Sequence, residues 1–166
     1  LICQIYFKES IMKSFKYFVK EENKGGFIAI KPDIQKAQYY ANACQLIGIE
    51  DCLSPEEMHV TLFYDRREPI IDAYEPKNRM YKAFIKSCAL YNDALVLELD
   101  STELKERFLE LKMIGFKSDY PEYKPHLTLK YGATQADLIT LRDNWIMFEM
   151  MPTLHLMFEY SESIKK

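Results

Sequence analysis

Two segments of this chain repeat one pattern: His59-Val60-Thr61-Leu62 and His126-Leu127-Thr128-Leu129. Imidazole titrates near neutrality, so of two histidines one can accept a proton while the other, held protonated, donates one. Flanking a phosphodiester, such a pair supports in-line displacement without a metal: one ring deprotonates the attacking hydroxyl and the other protonates the departing oxygen. Threonine hydroxyls beside them can hydrogen-bond the non-bridging oxygens and steady the charge that develops there. Six Thr in 166 residues put a Thr two positions after any His with a chance of about 4%, so two such pairs among three histidines arise in roughly 0.4% of shuffled chains. The third, His155, lies in Leu154-His155-Leu156-Met157-Phe158, with Met157 where Thr would stand, and reads as an ordinary structural or surface histidine.

For these side chains to act together, each motif must be a strand and the two strands must face a common space. Alternate side chains of a strand share a face, so His59 and Thr61 point one way and Val60 and Leu62 the other, with the same division at His126/Thr128 and Leu127/Leu129. Strict alternation adds Phe63 and Asp65 to the first reactive face and Lys130 to the second. Phe63 there is a candidate to stack on a base, and Lys130 to attract a phosphate. The loop before the second motif carries Tyr120, Tyr123 and Lys124 beside Pro121 and Pro125. It is a candidate lid over a nucleobase, or equally a surface turn that tucks its rings on the core.

The motifs sit in a larger repeat. Gly25-Gly26 opens a strand at 27–30, Lys31-Pro32-Asp33 closes it with a turn and an N-cap, and a helix follows over 34–46, ending near Gly48. A polar loop through Ser54-Pro55-Glu56-Glu57 leads into a strand over 59–64. The second half repeats the order: a strand at 95–99, a helix capped by Asp100 or Ser101 and stopped by Gly115, and a strand over 126–131. The same shift that superimposes His59 on His126 lays Ile28-Ala29-Ile30 on Leu95-Val96-Leu97. Such a duplication places equivalent residues about a pseudo-twofold axis. Between the halves, 65–78 reads as a long polar connection and 79–90 as a helix; 135–146 reads as a further helix, with Trp145 in the core, and 153–160 as the last strand.

At 166 residues one domain is expected over 12–166, with pseudo-repeat halves of about 25–90 and 91–162. Residues 1–11 precede Met12 and are expected to be a non-native or disordered leader. Cys3, Cys44, Cys52 and Cys88 show no Cys-x-x-Cys pair and no zinc-like spacing, which points to reduced thiols in a cytoplasmic protein with no metal and no other cofactor. The net charge of −3 argues against a protein that coats long nucleic acid, since duplex affinity comes largely from neutralising many phosphates. Lys13, Lys16, Lys20, Lys24 and Lys31 make the beginning locally basic, a pattern more often solvated than binding. No apolar run approaches the roughly 20 residues of a membrane span, and a soluble monomer is expected.

In these two motifs and their spacing the chain resembles the 2H phosphoesterase superfamily, over about residues 27–160. The resemblance makes His59 and His126 the catalytic pair and Thr61 and Thr128 their phosphate-contacting partners. It implies an α+β, duplicated bilobal fold, with antiparallel sheets lining a central cleft and helices outside. Glu57-Met58-His59-Val60-Thr61-Leu62 and Tyr123-Lys124-Pro125-His126-Leu127-Thr128-Leu129 look most like the phage anti-CBASS nucleases. That resemblance implies a metal-independent phosphodiesterase of 3′,5′-cyclic di- or trinucleotide messengers, acting in the host cell cytoplasm if phage-encoded. Which histidine is the base, and whether water or a ribose 2′-hydroxyl attacks, stay open. One rival is an RNA 2′,3′-cyclic phosphodiesterase or 2′,5′ RNA ligase-like enzyme, which usually carries a basic approach for a strand. Another is a module that sequesters a nucleotide, for which a matched acid and base would be superfluous.

Overall fold

The computed structural model describes residues 26–164. The expected leader, the Met12 start and the lysines at 13, 16, 20 and 24 lie outside the described residues. Within them the order is β1 (Phe27–Pro32), α1 (Ile34–Leu46), β2 (Val60–Tyr64), β3 (Tyr81–Tyr91), β4 (Ala94–Asp100), α2 (Thr102–Met113), β5 (His126–Lys130), α3 (Gln135–Asp143), α4 (Ile146–Glu149) and β6 (Thr153–Glu162). Among the described residues this is a mixed α/β fold with six antiparallel strands and four helices.

Capping sets the helix starts where short polar side chains can accept main-chain N–H groups. Asp33 accepts from Gln35 and Lys36 at the start of α1, Ser101 accepts from Leu104 at the start of α2, and Thr134 with Asp137 forms a reciprocal box at α3. The helix expected over 135–146 breaks in two because Asn144 caps it, its side-chain amide donating to the Thr140 carbonyl. Trp145 then begins α4, half-buried with its ring stacked on Phe148. At the other end, Gly26 is required by contact: a Cβ there would stand 1.7 Å from the Asp65 carbonyl oxygen.

The helix expected over 79–90 is the strand β3. Its period of two is plain at Tyr81, Ala83 and Ile85, which turn inward while Lys82, Phe84 and Lys86 turn out. A bulge at Lys86, where Ile85 pairs with Leu99 and Ser87 with Glu98, then shifts the phase and gives the run its helix-like spacing. Asn92, at a left-handed φ of 57°, begins the two-residue turn that joins β3 to β4, with Tyr91 paired to Ala94.

The strands close into one antiparallel sheet in the order β1-β2-β5-β4-β3-β6. Two sheets lining a cleft were expected; instead Val60 pairs with Leu127 on one side and Tyr81–Phe84 with Leu156–Thr153 on the other, which joins them. Nor do the two halves stay separate in space. The β3–β4 hairpin straddles the expected boundary, and β6 returns to lie between β1 and β3, so each half places its last strand against the first strand of the other. One contiguous apolar cluster underlies this sheet, with Ile28 and Ile30 of β1, Leu95 and Leu97 of β4, Tyr40 of α1 and Leu104, Phe108 and Leu111 of α2.

A buried ion pair ties α2 to β6. Arg107 donates to both carboxylate oxygens of Glu159, from Nε at 3.0 Å and Nη2 at 2.7 Å, and Tyr81 donates to Glu159 at 3.1 Å. Removing one partner leaves a buried charge uncompensated, so Arg107→Ala is expected to lower the unfolding free energy by about 3–5 kcal/mol in urea denaturation. Arg107→Met combined with Glu159→Leu is expected to cost much less; equal losses in the two proteins would mean that the stranded charge is not the cause.

Candidate active site

The two motifs meet across the β2–β5 seam. Val60 pairs with Leu127, and carrying that antiparallel register one residue each way sets His59 opposite Thr128 and Thr61 opposite His126. Residues opposite one another share a face. The histidines are therefore diagonal neighbours, a relation that separates backbone positions by about 7–8 Å. Thr61 is half-buried and Thr128 buried.

Both rings are held by the same device. His59 Nδ1 lies 2.8 Å from the Glu57 carbonyl oxygen and His126 Nδ1 lies 2.8 Å from that of Lys124. A carbonyl only accepts, so Nδ1 carries the hydrogen in each, and in the neutral ring the lone pair is left on Nε2. Local sequence sets both carbonyls. Glu57 closes a turn in which its carboxylate accepts from the Ser54 main chain at 3.0 Å and hydroxyl at 2.9 Å. Lys124 precedes Pro125, which favours extended backbone at Lys124, and the Pro125 carbonyl accepts from Leu99.

Immediately after each threonine the strand gains one residue. Against β1, Thr61 pairs with Ala29 and Phe63 with Ile28, leaving Leu62 extra; against β4, Thr128 pairs with Val96 and Lys130 with Leu95, leaving Leu129 extra. The two bulges obey the repeat that relates the motifs, and each reverses the alternation beyond it. Phe63 accordingly turns away from His59 into the core, its ring 4.8 Å from Phe108 and 5.6 Å from Phe116, where it cannot stack on a base. Lys130 turns away from His126 and pairs with Asp137 of the α3 cap at 3.3 Å. Asp65 is buried, accepting from Arg67 and from the Lys117 main chain at 2.7 Å. Tyr123 is a strut: its ring stacks on Phe108 at 4.6 Å and its hydroxyl donates to the Thr61 carbonyl at 3.1 Å. Tyr120 stands exposed in the same loop, as does the Lys124 ammonium, 3.9 Å from Glu122.

Residues missed from sequence surround the histidines. Phe27 meets His59 edge-on at 5.5 Å and also contacts Tyr64 and Tyr160. Lys31 lies over the Tyr160 ring and donates to the Glu56 carbonyl at 2.6 Å. On the other side Tyr91 meets His126 edge-on at 5.0 Å and donates to Glu98, the register partner of His126. Alternation along β1 could have found Phe27 and Lys31. Tyr64 was hidden by the bulge, and Tyr91 by the helical reading of its strand.

Burial lowers both imidazoles from their ordinary value. For His59 the Glu57 carbonyl opposes this, Lys31 adds to it, Glu162 opposes and His126 adds; for His126 the Lys124 carbonyl and Glu98 both oppose it. Among the described residues no three His, Cys, Asp or Glu side chains gather as a metal site, and no helix is long and apolar enough to cross a membrane.

Fold and site together define a class: mixed α/β proteins in which one closed antiparallel sheet carries two His-x-Thr motifs on neighbouring strands. A family model described as anti-CBASS protein Acb1 matches residues 24–166. The chain is 30% identical over 127 residues to an anti-CBASS protein Acb1 of Vibrio phage KVP40, covering 72% of this chain and 78% of that one. It is 29% identical over 132 residues to another of that name from Escherichia phage RB16, covering 76% and 75%. The chain belongs to the anti-CBASS protein Acb1 family.

The placement of Phe63 is open to a direct check. Phe63→Ala is expected to lower the unfolding free energy by about 3–5 kcal/mol, whereas Tyr120→Ala should move it by less than about 0.5 kcal/mol. A small loss at Phe63 in thermal or urea unfolding would return that ring to the surface.

Proposed function

We propose that this chain is a metal-independent phosphodiesterase that cleaves 3′,5′-linked cyclic di- or trinucleotides and thereby counteracts CBASS in the cytoplasm of a phage-infected cell. The observation that carries this is the pair of imidazoles across the β2–β5 seam, each with Nδ1–H fixed on a main-chain carbonyl and Nε2 left for proton transfer. The naming of the phage relatives as anti-CBASS proteins supports the class of ligand. The correspondence of β1-α1-β2-β3 with β4-α2-β5-β6 supports a duplicated fold of the 2H phosphoesterase type, arranged as one domain.

In the reaction, a cyclic oligonucleotide lays its scissile phosphate between the rings. One Nε2 takes the proton of the attacking hydroxyl, a ribose 2′-hydroxyl or water, as the new bond to phosphorus forms. The other gives its proton to the O5′ oxygen as the P–O5′ bond breaks. Thr61 and Thr128 donate to the non-bridging oxygens, where charge accumulates in the transition state. Tyr120 and Lys124, exposed beside the second motif, are the candidates to meet the rest of the ligand.

Purified protein incubated with cyclic di- and trinucleotides in EDTA is expected to yield linear products by chromatography. Ligand recovered unchanged after denaturation would instead mark a sequestering module, and faster turnover of linear RNA ends bearing a 2′,3′-cyclic phosphate would mark an RNA-end enzyme. His59→Ala and His126→Ala should each reduce turnover by about 10²–10⁴-fold, with Thr61→Ala and Thr128→Ala costing less; full activity in either histidine variant would refute the mechanism.

The lowered imidazole values also fix a sign for pH. The base must be neutral, so the rate climbs as pH rises through its value; the acid must be charged, so the rate falls as pH rises through the other. With both values lowered by burial, kcat/KM should follow a bell whose maximum lies below about pH 6.5.

A further inference from the structure

The two histidines have equivalent neighbours of opposite charge. The register places Glu98 of β4 beside His126. On β1, Ile30 pairs with Val60, so the next step sets Lys31 beside His59. The shift along the chain that carries His59 onto His126 also carries Lys31 onto Glu98. The four strands β1-β2-β5-β4 thus present on one face an ammonium beside one imidazole and, one diagonal step away, the other imidazole beside a carboxylate.

Each charged group is fixed by its own contacts. The Glu98 carboxylate accepts from Ser87 and, at 2.5 Å, from Tyr91, and these hydroxyls hold it below the usual carboxylate range, so it is ionised near neutrality. Lys31 is held by the Glu56 carbonyl and the Tyr160 ring. Its charge is flanked by Glu162, Glu57 and Glu56, while burial lowers its value. His59 therefore faces Lys31 from β1, Glu162 from β6 and His126 from β5, with Lys31 outweighing Glu162. His126 faces Glu98 from β4 and Tyr91 from β3; the nearby cations Lys86 and Lys124 act on Glu98, and Glu122 acts on Tyr91.

We propose that Lys31 and Glu98 divide the labour of a nearly symmetric site: Lys31 favours the neutral form of His59 as the proton acceptor, and Glu98 favours the charged form of His126 as the proton donor. Both are positioning residues, acting through the imidazoles, and their roles rest on the proposed phosphodiester chemistry. The attacking hydroxyl loses its proton to His59 Nε2 while its oxygen bonds to phosphorus. The P–O5′ bond breaks, and the proton of His126 Nε2 goes to O5′. Exchange with solvent then restores both rings.

Titration of the free protein followed by NMR of the ring protons tests the charge asymmetry without substrate. His126 is expected to titrate above His59. Glu98→Gln, which keeps an oxygen to accept from one of the Tyr91 and Ser87 hydroxyls and offers its amide N–H to the other, should lower the His126 midpoint by about half a pH unit or more and leave His59 in place. Lys31→Gln should raise the His59 midpoint comparably and leave His126 in place. Coincident or reversed midpoints in the native protein, or substitutions that move both rings alike, would overturn the asymmetry.

A cyclic dinucleotide with sulfur in place of O5′ at the scissile linkage tests the roles, because a thiolate leaves without protonation. This substrate should restore turnover of His126→Ala by at least about 100-fold and leave His59→Ala impaired. Rescue of His59→Ala instead would reverse the assignment. Absence of any turnover by the native protein on cyclic di- and trinucleotides would overturn the phosphodiesterase function while the NMR midpoints still reported on Lys31 and Glu98.

Discussion

The pairing of Val60 with Leu127 is the contact on which the site depends. It joins β2 to β5 and brings together two motifs that lie in different halves of the chain. Because opposite residues of an antiparallel pair share a face, this one register sets both His-x-Thr units on the same surface and places the rings diagonally. A slip of one residue would turn one motif away. The neighbouring strands hold that register from outside: β1 pairs with β2 through four positions and β4 with β5 through four.

The repeated bulges explain how a short strand serves both the site and the core. Up to Thr61 and Thr128 the alternation presents reactive side chains on one face. One extra residue then reverses it, and Phe63 is delivered to the packing around Phe108 while Lys130 is delivered to the cap of α3. Tyr123 completes the support by clamping the Thr61 carbonyl from beneath. The side chains of the candidate site are therefore mounted on backbone that is bonded on both edges and packed below, an arrangement that fixes their positions.

One register brings the two imidazoles together, and their differing neighbours distinguish them. Identical carbonyl contacts give both rings the same tautomer. The proposed reaction, with one base and one acid, calls for a difference between the rings, and their surroundings differ: an ammonium and an aromatic group beside His59, a carboxylate and a tyrosine beside His126.

Much of the fold was legible in the sequence where a local signal decides the outcome. The α1 helix from Ile34 follows from the Asp33 cap, α2 from Ser101, and the strands around His59 and His126 from their composition. The constant offset between the two halves made the motifs a pair before any contact was known. Other features were beyond sequence because they depend on backbone pairing between distant segments. A bulge has no residue signature of its own, so alternation misplaced Phe63 and Lys130, and another bulge at Lys86 disguised β3 as a helix. The closed sheet, with each half's last strand set against the other's first, is likewise a property of pairing. Residue types and their spacing alone determined which groups could do chemistry here; hydrogen bonds between strands far apart in the chain decided which of them face one another.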